Sequence, residues 1–73
     1  MVQRQTTEEM AIHILKRVYE HTEGRQEWRK LKTNKASEVA VELAEDRGWL
    51  LVDERKGVYL TEKGRAVVRK GLS

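Results

Sequence analysis

Fifteen lysines and arginines against twelve aspartates and glutamates leave this 73-residue chain at +3, and the placement of those charges says more than their sum. Residues 24–35 hold Arg25, Arg29, Lys30, Lys32 and Lys35 against Glu27 alone, five minus one, or +4. Such a run can neutralise phosphates, each contact releasing condensed counterions. A smaller pair, Arg55 and Lys56, is offset by Asp53 and Glu54, and towards the end of the chain Lys63, Arg65, Arg69 and Lys70 outnumber Glu62. Opposed to these, Glu38, Glu42 and Glu45 recur at helical spacing as one acidic face, in the plainer reading an ordinary solvated side of the helix. A phosphate-lined groove would repel that face. The pI near 9.5 is compatible with nucleic acid without implying it.

Other chemistries find little support. Without cysteine there are neither disulfides nor thiolate metal sites. His13 shares a polar helix side with Glu9, Lys16 and Arg17, and His21 stands at the end of that helix, where an imidazolium suits the dipole. Neither has a carboxylate at ligand spacing, so no metal site is expected. No nucleophile has a base and an orienting group, and no carboxylate pair sits in an apolar setting; the chain reads as a non-enzyme without a cofactor. Trp28 and Trp49 read as core, with stacking on bases the lesser alternative, while Tyr59 is open to either role. The five glycines are scattered stops and turns without a phosphate-cradling spacing.

The elements that must position these charges follow from periodicity. Seventy-three residues make one domain, 1–73, with 1–5 as a flexible arm. A chain this short buries only about 60% of its unfolded surface. Thr6 and Glu9 have capping-box spacing, starting a first helix near Thr7. On it Met10, Ala11, Ile14, Leu15 and Val18 form a stripe that Ile12 and Tyr19 widen to about half the circumference. A stripe so wide asks for two partners: either two sides of the same domain, or the domain and the first helix of a second subunit. Gly24 stops this helix, and residues 25–31 are long enough for a two-turn second helix with Trp28 and Leu31 facing inward. Thr33 or Asn34 caps a third helix, whose stripe is Ala36, Val39, Ala40, Leu43 and Ala44 and whose stop is Gly48. A hairpin follows, with Leu50 and Val52 on one face, Trp49 and Leu51 on the other, and Val58 and Leu60 sharing a face on the return strand. Thr61 caps a last helix that carries Gly64, Val67, Val68 and Gly71 on one side and packs back on the first. No run approaches the roughly 20 apolar residues of a membrane span, and no secretory leader is visible, so a cytoplasmic location is expected.

The end of the third helix with Arg-Gly-Trp-Leu, the charged hairpin tip and Val-Tyr-Leu-Thr-Glu-Lys-Gly resemble the recognition helix, wing and closing Leu-Thr-x-x-Gly of winged helix-turn-helix domains. The resemblance implies a mainly α fold with a small β-hairpin: a three-helix helix-turn-helix core, a two-stranded wing and a C-terminal helix. It also implies a DNA-binding protein acting in transcriptional regulation; a homodimer through the first helix is the expectation that the wide stripe adds. Phosphates would be anchored by Arg25, Arg29, Lys30 and Lys32. The start of the third helix would enter the major groove, with Asn34, Lys35 and Ser37 at base edges and Glu38 accepting from cytosine. Arg55 and Lys56 would be the wing contacts. The alternative is a winged-helix interaction module without nucleic acid, its protein partner meeting the acidic face of the third helix. RNA binding through the basic segment is a third, lesser expectation.

Overall fold

The computed structural model describes residues 6–32 and 34–72, the side chains of Ala36 and Leu72 excepted. The expected arm at 1–5 and the alternative cap Thr33 lie outside the described residues. The elements run α1 (Thr7–His21), β1 (Trp28–Arg29), α2 (Lys35–Asp46), β2 (Leu50–Asp53), β3 (Gly57–Leu60) and α3 (Glu62–Leu72). Among the described residues three helices thus accompany a small antiparallel sheet of order β1-β3-β2.

Local chemistry sets the helix boundaries. The backbone N–H of Glu9 donates to Thr6 Oγ1 at 3.1 Å and that of Ser37 to Asn34 Oδ1 at 2.9 Å, so both N-caps satisfy a donor the new helix would strand. Thr61 has two roles. Its Oγ1 accepts from Gly64 N at 3.1 Å and donates to the carbonyls of Gly48 and Trp49, tying the start of α3 to the corner that begins the hairpin. Glu23 and Gly24 take positive φ after α1, and Gly48 does so after α2, where helices commonly end in a left-handed residue.

The core lies between α1 and the sheet. Ala11, Leu15, Val18, Ala40, Ala44, Leu50, Val58, Leu60 and Val68 are all buried. α1 packs against α2, α3 and β3, which engages its wide stripe within a single chain, and Met10, Ile12 and Tyr19 lie partly buried against the same cluster. On α2 the buried residues are Ala40, Val41 and Ala44, whereas Val39 is 54% exposed. The apolar face is therefore rotated from the expected stripe towards Val41, and the small side chains of Ala40 and Ala44 let α2 approach its neighbours closely. Leu50, Val58 and Leu60 point inward from the hairpin as their alternation requires. Trp49 departs from that alternation: it sits at the corner before β2, its N–H donates to Ala44 O, and it is buried too.

One expected element is absent. Residues 25–31 do not form a helix; Trp28 and Arg29 extend instead and pair with β3, Trp28 opposite Tyr59 and Arg29 opposite Val58. The three-helix helix-turn-helix core is therefore not what α1, β1 and α2 build, and the sheet has three strands rather than two. A two-turn helix is too short to be stable alone. The open edge of β3 offers backbone partners, and Trp28 gains a ring contact with Tyr59 there. Trp28 is consequently half-buried on the outer face of the sheet, not in the core.

Candidate nucleic-acid interface

The strand β1 carries part of the basic segment to the hairpin by pairing with β3. Gly57, at φ +100°, opens β3, and a Cβ built on it would lie 2.8 Å from Lys30 Cα and collide with the Arg29 carbonyl, so the two backbones are in direct contact. The Lys56 ammonium stands 5.6 Å from the centroid of the Trp28 ring. Lys56 thus lies by Trp28 on the outer face of the sheet, whereas Arg29 pairs opposite the inward-facing Val58.

A cleft of about 240 Å³ is lined by Arg17, Val18, His21, Arg29, Lys30, Leu31 and Lys32. No carboxylate is among its described lining residues. Arg17 and His21 come from the last turns of α1; sequence reasoning treated them as a polar side and a helix end. Their four-residue spacing, which puts both on one helical face, was the signal that could have found them.

The remaining candidates are distributed differently. Arg25 lies 3.6 Å from Glu23 in a highly exposed ion pair worth little in water. Asn34 spends its Oδ1 on the cap of α2, and Ser37 is the residue it caps. Lys35 is exposed on the first turn of α2. Glu38 does not join the cations: it lines a second groove, on the other side of Lys30 and Leu31, with Glu42, Glu45, Asp53 and Glu54. Arg65, counted among the cations of the last helix, donates to the Gly24 carbonyl and so fastens α3 to the turn after α1.

The hairpin tip is held by its own acid. Asp53 Oδ1 accepts from the backbone N–H of Arg55 at 2.8 Å and of Lys56 at 3.0 Å. These two bonds, Lys56 first, hold its carboxyl below the ordinary value of 3.8. A depressed folded pKa means that the contribution to stability is complete above the unfolded value and is lost as pH falls through the lower folded one. The tip should therefore keep its shape at all pH values above about 4 and loosen only below. Asp53→Ala should speed amide exchange at Arg55 and Lys56 severalfold at neutral pH, whereas Asp53→Asn, which keeps an acceptor, should change it less; hydrogen exchange followed by NMR measures both.

On the outer face of the sheet, Trp28, Tyr59 and Leu51 form a row across all three strands, the two rings 5.4 Å apart and tilted by 45°, with Leu51 50% exposed. Among the described residues no group of three or more histidine, aspartate or glutamate side chains is placed to hold a metal ion. No described helix is long and apolar enough to cross a membrane. No protein-family model, curated protein or solved structure matches this chain.

Proposed function

We propose that the chain is a small, non-catalytic winged-helix domain that binds duplex DNA chiefly through its phosphates, in the manner of a transcriptional regulator. The observation that carries this reading is the gathering of Arg17, His21, Arg29, Lys30 and Lys32 around one cleft with no carboxylate among its described lining residues. The order of helix, hairpin and Thr61-capped helix supports the winged-helix assignment. The short β1 in place of a second helix is a departure from it, and it moves the phosphate contacts to the sheet edge.

Base reading by α2 contributes little in this proposal. Asn34 is committed to its cap, and Glu38 and Glu42 would face the phosphates of any groove that α2 entered. Specificity is then modest, with most of the affinity electrostatic. The apolar stripe of α1 packs on α2, α3 and β3 of the same chain, and this reading invokes no second copy.

Titrating a fluorescently labelled duplex at several salt concentrations tests the reading. About four to six phosphate contacts predict a log–log slope of about −4 to −5. Failure to bind at low salt, or affinity indifferent to salt, would remove the proposal. A second reading, a module that contacts protein, is favoured by the acidic groove beside α2, which shares only Lys30 and Leu31 with the basic cleft.

A further inference from the structure

We infer that the groove between α2 and the β2–β3 hairpin is a docking site for a cationic, amphipathic segment of a partner protein. Its volume, about 460 Å³, falls within the roughly 300–1,000 Å³ of ligand-binding clefts. Leu31, Val41, Val52 and Val58 make its floor, and Val52 is left 44% exposed although it lies on the same sheet face as the buried Val58 and Leu60. The far end of the hairpin thus extends the core-side apolar surface beyond what the chain itself covers.

The rim decides the occupant. Glu38, Glu42 and Glu45 stand along the α2 wall and Asp53 and Glu54 along the hairpin wall, with Lys30 the one cation among the described lining residues. Among those residues no cation lies within ion-pair distance of Glu38, Glu42 or Glu45. Like charges three and four apart on one helix face weaken that helix. They are too dispersed to hold a metal ion, and they repel nucleic acid. A chain alternating lysine or arginine with leucine or valine would answer both features at once, its aliphatic side chains on the floor and its cations against the two walls.

The inference does not depend on DNA binding, because the groove and the basic cleft share only Lys30 and Leu31. A fluorescein-labelled synthetic peptide of alternating lysine and leucine is the probe, followed by anisotropy, against one of alternating glutamate and leucine and one of alternating lysine and serine. The lysine–leucine peptide is expected to bind at least about tenfold more tightly than either control. Glu42→Lys with Glu45→Lys should weaken it about tenfold or more, and Val52→Ser, in a chain of native charge, severalfold. Arg29→Gln with Lys32→Gln should leave peptide affinity unchanged while lowering DNA affinity. Equal binding of the lysine–serine peptide, no effect of Val52→Ser, or no effect of the double reversal in a chain that retains its circular dichroism would overturn the inference. If the double reversal does not fold, Val52→Ser and the three peptides decide the matter alone.

Discussion

Gly57→Ala is expected to be the most damaging single-methyl change in the chain. Two effects coincide at this position. The backbone sits at φ +100°, a conformation that costs a residue with a side chain on the order of 1–3 kcal/mol. A Cβ there would also lie 2.7 Å from the Arg29 carbonyl carbon and 2.8 Å from Lys30 Cα, atoms that cannot swing aside as a side chain can. Forcing strands apart in a packed structure costs about 1–3 kcal/mol more. Together these predict a loss of roughly 3 kcal/mol. For a domain of this size that lowers Tm by about 12–24 °C.

Two other glycines separate the causes. Gly48 shares the positive φ, at +76°, but an added Cβ would meet only Lys63 Cδ at 3.8 Å, so Gly48→Ala isolates the backbone strain and should cost about 1–2 kcal/mol. Gly71 lies in α3 with only the tip of Lys16 nearby, so Gly71→Ala should be neutral or stabilise by up to about 1 kcal/mol through helix propensity. Thermal melts followed by circular dichroism rank the three. A Gly57→Ala protein no less stable than Gly48→Ala would mean that β1 does not press on the hairpin as described.

The second large effect is on binding. Under the proposed function, Arg29→Gln, Lys32→Gln and Lys56→Gln in one chain should lower duplex affinity at 0.1 M salt on the order of 500-fold. Each lost phosphate contact removes about 0.9 decades at that concentration, and the log–log slope should become shallower by about 3. Lys56 also stands over the Trp28 ring, a contact worth about 0.5–1 kcal/mol at an exposed site, so the melt of the variant is measured beside its affinity. Neutralising Glu42 and Glu45 instead should leave duplex binding the same or slightly tighter. If both sets of changes weakened binding alike, the proposed separation of a cationic edge from an acidic groove would fail.

Features decided within a few residues of chain were readable before the fold was known. Thr6 and Thr61 cap the helices they were expected to cap, and Asn34, one of two expected candidates, caps α2, because an N-cap answers donors three residues away. The hairpin and its glycine were visible for the same reason, since a charged tip closed by Gly57 has few alternatives. What depended on distant partners was not. Residues 25–31 have enough helical spacing to suggest two turns, but the free edge of β3 and the ring of Tyr59 draw Trp28 and Arg29 into a strand. The inward face of α2 shifted from Val39 to Val41 because contact with the other elements, rather than the stripe taken alone, set its rotation.

The sites follow the same division. Arg29, Lys30 and Lys32 were found from charge density, whereas Arg17 and His21 join them only because the chain after β1 passes the end of α1. The glutamates of α2 were seen as one face, yet their pairing with Asp53 and Glu54 across a groove needed the hairpin to fold over Val41 and Val58. Glu38 was assigned to base reading by its place in the first turn of α2. Its position in the acidic groove sets it apart from Arg29 and Lys32.

Which face meets nucleic acid is tested most directly by titrating an isotopically labelled chain with a short duplex at low salt and following backbone amide shifts by NMR. The account predicts that residues 17–21, 29–32 and 55–56 move, while Glu42 and Glu45 stay in place. Shifts centred on the outer face of α2 with none at Arg17, Arg29 or Lys32, or no shifts at all, would contradict it.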